Sequence, residues 1–367
     1  MLRPLRLWGA ALALCLAPAL ALAQGFTCPN IVETALEVVD QFCAKTGRNQ
    51  VCYGSVRLAA EPKPGVEDFE FRKTGDLISV ADLQNLRASA MNVEAGEWGV
   101  ALMRLQANLP DTLPGQNVTF ILFGDVELTP VEPADPNAPP MQAFYLRTGV
   151  GDARCEEAPE SGLLVQTPEG AGEVAFNVNG VDVQMGSTVF FQADEDEGMT
   201  VSTLEGLAYV RANGGEQIIV PGTWVRVALS RLPDVVAGFK PRGLPELPRA
   251  YEARTRMLER LPVRLLQRRI EIAPPLAGES LQRLLDKIHA GGPLCGETPL
   301  PACRPPLLPV RPTALPALPV RPTELPTPPA LPTLPALPTE PPAPPSLPEL
   351  PTLPFDPGGM LPGSRGG

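Results

Sequence analysis

Val174-Ala-Phe-Asn-Val-Asn-Gly-Val-Asp-Val-Gln-Met185 decides the fold. Val174, Phe176 and Val178 alternate with Ala175 and Asn177, and after Asn179-Gly180 the alternation resumes with Val181, Val183 and Met185 around Asp182 and Gln184. A period of two is that of a strand with one buried face. Asn-Gly tolerates the positive φ angles of a two-residue hairpin turn. The stretch therefore reads as a β-hairpin.

Downstream, Thr188–Ala193, Met199–Leu204, Ala208–Ala212, Gln217–Val220 and Trp224–Leu229 are further short strands. Asp194–Gly198, Glu205-Gly206, Gly214-Gly215 and Pro221-Gly222 separate them. Strands at this spacing predict a compact β roll or sandwich over 162–229. Upstream, Val51–Leu58, Gly99–Ala107, Val118–Leu128 and Met141–Thr148 read as strands, and Ala81–Leu86 as a helical turn. Ile31, Ala35, Leu36, Val39 and Phe42 recur at helical spacing, so 28–46 reads as one helix ending at Gly47.

The expected fold is mainly β, with two small β-rich domains. These are a cysteine-containing unit at 26–158 with its leading helix, and the roll at 162–229. Leu258, Leu261, Leu265 and Leu266, interspersed with arginines, make 230–292 an Arg/Leu-rich helical segment, with helix over 246–290 broken at Pro262 and Pro274-Pro275. Most of the 47 prolines follow Pro241, and residues 293–367 hold little beyond Pro, Leu, Thr, Ala and Glu. Such a composition cannot bury enough apolar surface to offset its ordering entropy, so this tail is expected to be disordered, a polyproline spacer.

Residues 1–23 read as a secretory signal. Arg3 and Arg6 precede the apolar run Leu7–Leu20, and Ala21-Leu22-Ala23 places cleavage between Ala23 and Gln24. Nothing else approaches the roughly 18 apolar residues of a membrane span. The expected location is secreted or extracytoplasmic, in the cell envelope. Of seven cysteines, Cys15 falls within the signal. Cys28, Cys43, Cys52, Cys155, Cys295 and Cys303 remain as disulfide candidates. A local Cys295–Cys303 loop leaves the other four for the N-terminal region, their pairing open. Metal-ligand spacing is lacking, and neither metal nor cofactor is expected.

A net charge of −11 argues against nucleic acid. Catalysis finds little support. The single histidine, His289, closes a helical segment, and the Glu94/Glu97 pair has only Trp98 nearby as a sugar platform. Asp194–Glu197 reads as a solvated hairpin tip rather than a Ca²⁺ loop. Gly149-Val-Gly151 and Gly170-Ala-Gly172 read as turns, and Asn117-Val-Thr119 as an incidental sequon. Arg249–Arg269 suits an anionic lipid or wall polymer, or a solvated helix face.

Gly186-Ser-Thr-Val-Phe190, Met199-Thr-Val-Ser-Thr-Leu-Glu-Gly206, Val210 and Val220-Pro-Gly-Thr223 resemble the FecR domain. In the Leu-Glu-Gly turn, Gly206 takes a conformation that a Cβ disfavours while Leu204 packs inward. The overall layout is also similar to secreted proteins of Chloroflexi-type bacteria. The resemblance implies a non-enzymatic extracytoplasmic β module, which in the best-known members senses a loaded transporter. The chain lacks the anti-sigma region of those members. The reading is a secreted, non-catalytic surface adaptor or structural module, whose partner is an unknown protein or cell-envelope polymer. A FecR-type signalling component and a carbohydrate-acting hydrolase are the alternatives.

Overall fold

A computed structural model describes residues 26–290, apart from 107–115, 134–138, 150–154, 156, 169–172, 197, 234–237 and 277. The segment 1–23 read as a signal, with the expected Ala23–Gln24 cleavage, Cys295, Cys303, the tail 293–367 and most of the two Gly-x-Gly stretches lie outside the described residues.

The chain is mainly β. The first half holds α1 (Cys28–Phe42), β1 (Gln50–Ser55), β2 (Leu58–Pro62), β3 (Leu77–Ser79), β4 (Leu83–Ala88), β5 (Val100–Leu105), β6 (Val118–Phe123), β7 (Val126–Pro130) and β8 (Ala143–Thr148). The second half continues with β9 (Gly162–Gln166), β10 (Val174–Val178), β11 (Val181–Met185), β12 (Thr188–Asp194), β13 (Gly198–Glu205), β14 (Ala208–Ala212), β15 (Gly215–Ile219) and β16 (Thr223–Val227). After these come β17 (Leu229–Arg231), β18 (Phe239–Pro241), β19 (Arg249–Ala250), α2 (Thr255–Leu258) and α3 (Gly278–His289).

The strands form two packed sheets. One runs β3-β1-β5-β6-β9-β12-β13-β16-β19, the other β2-β4-β7-β8-β10-β11-β14-β15. Apart from the β3/β1 inversion, spatial order is sequence order in both. The chain builds a hairpin in one sheet, crosses to the other, builds the next and crosses back. At β9 it crosses with a lone strand, so β10 re-enters its sheet pointing the same way as β8. That is why β8–β10 is parallel while the other strand pairs among the described residues are antiparallel.

The two β-rich units expected from the sequence are two halves of one continuous sandwich. β6 and β9 join them in register from Thr119↔Gln166 to Phe123↔Gly162. One apolar core runs between the sheets from Val51 to Phe239. The β17–β18 hairpin contributes Leu229 and Phe239 to that core.

The two sheets face different surroundings. The nine-stranded sheet is covered on its outer side by α1 and by the segment from Tyr251 to Ile272. Buried on both faces, its central strands are continuously apolar rather than alternating, as in β6, where all six residues are buried. The eight-stranded sheet turns its outer face to solvent, and β10 and β11 keep the alternation read from the sequence. Each fully buried aliphatic side chain of α1, such as Val39, contributes about 1.5–3 kcal/mol before ordering entropy is charged.

Several elements differ from expectation for local reasons. The helix stops at Phe42 instead of 46, because Cys43 turns away to bond Cys52. Val118–Leu128 divides at Gly124-Asp125 into β6 and β7, which enter opposite sheets. Only Val80–Asp82 is helical near 81–86, and Leu83–Ala88 is a strand whose Leu83 and Leu86 are fully buried. The helix expected over 246–290 is confined to α2, α3 and single 3₁₀ turns, because prolines interrupt it and its leucines are held by the sheet.

Candidate functional site

The Arg/Leu-rich segment docks on the sandwich as a strap. Its leucines point inward: Leu258, Leu261, Leu265 and Leu266 are buried against the row Cys52, Leu102, Ile121, Leu164 and Phe190 of the nine-stranded sheet. Polar side chains fix its path. The Gln166 amide meets the Arg268 backbone twice, donating from Nε2 to the carbonyl at 2.9 Å and accepting at Oε1 from the N–H at 3.0 Å. A side-chain amide thus replaces a strand neighbour. The Arg268 guanidinium reaches Glu205 at 2.6 Å. Ala273 N–H donates to Leu204 O at 3.1 Å, and Leu276 N–H to Gly222 O at 3.0 Å.

The Leu204-Glu205-Gly206 turn lies under this strap. Thr188 pairs with Glu205 but Val189 with Thr203, so Leu204 is the extra residue of a bulge. It is fully buried as expected, but in the cluster beneath the strap rather than between the sheets. Gly206 has φ of 74°, and a Cβ there would approach Gly186 O to 2.5 Å.

Tyr251 begins the strap, buried, with its hydroxyl donating to Ala273 O. Burial pushes its pKa up to about 12, against a smaller opposing effect of the hydrogen bond to Gly222. A phenol whose folded pKa exceeds its unfolded value stabilises the fold fully below the unfolded value, near 10, and loses that contribution as pH rises through about 12. Strap release between pH 10 and 12, read as tyrosinate absorbance coincident with new protease cleavage in 251–275, is the expected result. Cleavage unchanged by tyrosinate formation would refute it.

The basic stretch Arg249–Arg269 is divided in its duties. Arg249 and Arg254 flank the Trp224 ring at 5.8 and 5.0 Å, and Arg254 also donates to Gln192. Arg268 is taken by Glu205, while Arg256, Arg264 and Arg269 are exposed. The amphipathic face read from the sequence is real, with the sheet as its apolar partner.

The catalytic candidates are scattered. His289 is exposed at the end of α3. Glu97 bridges Arg57 at 2.7 Å, and Trp98 is buried against Phe123, so it offers no platform to a sugar. Asp194 pairs with Gly198 at a hairpin tip, where Glu195 lies 3.5 Å from Arg231. Asn117 is buried and accepts from Arg48 at 3.2 Å. Among the described residues, the one group with three potential metal ligands is Cys28, Cys155 and Glu157, and both sulfurs there are spent in a disulfide.

The four N-terminal cysteines pair as Cys28–Cys155 and Cys43–Cys52, with Cα separations of 5.9 and 5.7 Å. Both bonds anchor α1, one at each end. They are compatible with an oxidising compartment. No helix among the described residues is long and apolar enough to cross a membrane.

The solvent face of the eight-stranded sheet carries a polar ladder. Arg147 meets Glu127 at 3.1 Å, Asn85 donates to Glu127 and Thr129, and Arg211 links Gln184 with Glu216. Tyr145 and Tyr209 project from the same face, half-buried. The Tyr209 phenol is held above its ordinary pKa, first by burial and then by Glu173 and Glu216. Two surface concavities lie at opposite ends. One, of about 530 Å³, is at the β14–β15 turn, and the other, of about 490 Å³, runs beside β3.

Comparison with protein-family models, curated proteins and solved structures returned no match.

Proposed function

We propose that the protein is a secreted, non-catalytic surface adaptor whose sandwich presents the solvent face of its eight-stranded sheet to a protein of the cell envelope. The observation that carries this reading is the asymmetry of the two sheets. Helix and strap cover one sheet and leave the other as a rigid polar surface with two half-buried tyrosines. Tyrosines fixed on strands bury large area at low entropic cost, as interface anchors do. Within this reading, 162–229 is a FecR-like module serving display rather than iron-uptake signalling.

Affinity capture from the native envelope with crosslinking tests the proposal. Tyr145→Ala combined with Tyr209→Ala is expected to lower recovery of the crosslinked partner at least about tenfold. A separate variant, Arg256→Glu, Arg264→Glu and Arg269→Glu, should leave recovery unchanged. Loss only in the arginine variant would instead favour an anionic wall polymer. Equal recovery in every variant would sink both.

A further inference from the structure

Apart from Phe26 near Gly96, the exposed large apolar side chains among the described residues gather toward the two ends of the sandwich. Val56 and Leu77 lie at the β2/β3 end, with Phe42 beside them against Gly75. Leu244 and Leu247 lie at the other end and are the most exposed, at 60% and 68%.

These last two belong to Arg242-Gly-Leu-Pro-Glu-Leu-Pro-Arg249, an extended segment that continues β19 along β16. Arg242 N–H donates to Ala228 O and Glu246 N–H to Arg226 O, both at 2.8 Å. Pro245 and Pro248 are buried against the sheet, so the leucines three residues apart project outward together. The prolines also remove two N–H groups from this edge, which blunts strand-to-strand pairing and leaves side-chain docking as the mode of contact. Exposed Lys240 and Arg242 precede the leucines, and Arg249 follows them, paired at 2.7 Å with Glu246 between them. The result is an apolar ridge whose unpaired charges, Lys240 and Arg242, are positive.

The β3 groove at the opposite end is its chemical counterpart. Leu77 and the half-buried Val66 and Phe69 contribute apolar surface, while Glu67, Asp68, Glu70 and Asp82 contribute four carboxylates and no cation lines it. An acidic groove with an apolar wall fits a leucine ridge whose unpaired charges, Lys240 and Arg242, are positive.

The geometry points to head-to-tail self-association, in which the 242–249 ridge of one copy docks in the β3 groove of the next. Such a contact is heterologous: each copy keeps one groove and one ridge unused, so association continues into rings or open chains. The ridge is short and the groove holds about 490 Å³, which places the interface at the small, reversible end of the size range. The sequence Leu-Pro-Glu-Leu-Pro recurs at 347–351, but Pro345 and Thr352 stand there in place of Arg242 and Arg249. The charges of the groove therefore favour the 242–249 copy.

The test is sedimentation velocity on the full secreted chain across a concentration series, at low and high salt. Wild type should show a weight-average mass rising with concentration, with an association constant at least about tenfold lower in high salt. Leu244→Glu/Leu247→Glu and Glu67→Lys/Glu70→Lys should each stay monomeric while keeping the wild-type Tm, since every altered residue is exposed. An equimolar mixture of the two should form a dimer and nothing larger, because only one intact ridge and one intact groove meet. A wild type that stays monomeric overturns the proposal. So does a ridge variant that still assembles, which would make the tail repeat the occupant, and so does a mixture that stays monomeric.

Discussion

Replacing Cys28 and Cys155 by serine is expected to lower the unfolding free energy by about 5 kcal/mol. The bond closes a loop of 127 residues. The loop-entropy relation assigns a closure of that length about 5 kcal/mol, because the cross-link mainly restricts the unfolded chain. Cys43–Cys52 spans only nine residues, for which the same relation gives about 2.5 kcal/mol. The longer bond is also the more accessible one: Cys155 is buried, but Cys28 is only half-buried, whereas Cys43 and Cys52 are 1% and 0% exposed. Mild reductant should open Cys28–Cys155 first and release the start of α1 while Cys43–Cys52 still holds its end. Denaturant unfolding of the two double variants, with thiol labelling during reduction, checks both points. A Cys28/Cys155 variant no less stable than the Cys43/Cys52 variant would contradict the entropic account.

Asn179→Ala should cost at least about 3 kcal/mol, although it removes only a small side chain at a turn. Asn179 is fully buried. Its Oδ1 accepts from Leu146 N–H and its Nδ2 donates to Leu146 O, both at 2.9 Å. β8 pairs with β10 only as far as Val178↔Phe144, and there the side-chain amide takes over as the strand's partner. Alanine leaves both Leu146 groups buried and unpaired, at about 1–3 kcal/mol each. It must also adopt the φ of 54° at this position, which costs a non-glycine residue about 1–2 kcal/mol. Asn179→Gly relieves the second penalty and not the first, so it should lie about 1 kcal/mol above the alanine variant. Equal losses for the two would show that backbone strain plays no part. An alanine variant within about 1 kcal/mol of wild type would show that the amide does not carry the junction.

Asn179 marks how far the sequence could be read. Asn179-Gly180 announces its hairpin from local chemistry alone, and the alternation of 174–185 states which face is buried. That the same asparagine also completes β8 depends on a strand some thirty residues earlier, which no local pattern encodes. Gln166 is the same case, since its task is to hold Arg268, more than a hundred residues away. The period-two signal was clear wherever one face meets solvent, as in β10, β11 and β14. It faded in β6 and β13, which are buried on both faces, and the break at Gly124 was hidden inside one long apolar run. At Ala81–Leu86 a genuine 3₁₀ turn masked the strand that follows it.

The strap shows the opposite failure. Leucines and arginines at helical spacing suggested helix, but spacing reports only that one side is apolar. Prolines at 245, 248, 262, 274 and 275 keep the backbone irregular, and the sheet beneath supplies the burial that a helix alone would lack. The surfaces argued to bind partners were the least legible part. Tyr145, Tyr209, Leu244 and Leu247 are ordinary in sequence and acquire meaning only from their exposure.

Because spatial order follows chain order through nearly the whole sandwich, each hairpin touches mainly the hairpins made just before and just after it. Such an architecture behaves almost as a one-dimensional array. Duplicating or deleting a crossing pair of hairpins would lengthen or shorten the body by a fixed step, about 10 Å for two strands in each sheet, without rethreading anything already built. The reach of this molecule is thus an evolvable dimension, adjustable by inserting or excising one contiguous stretch of gene.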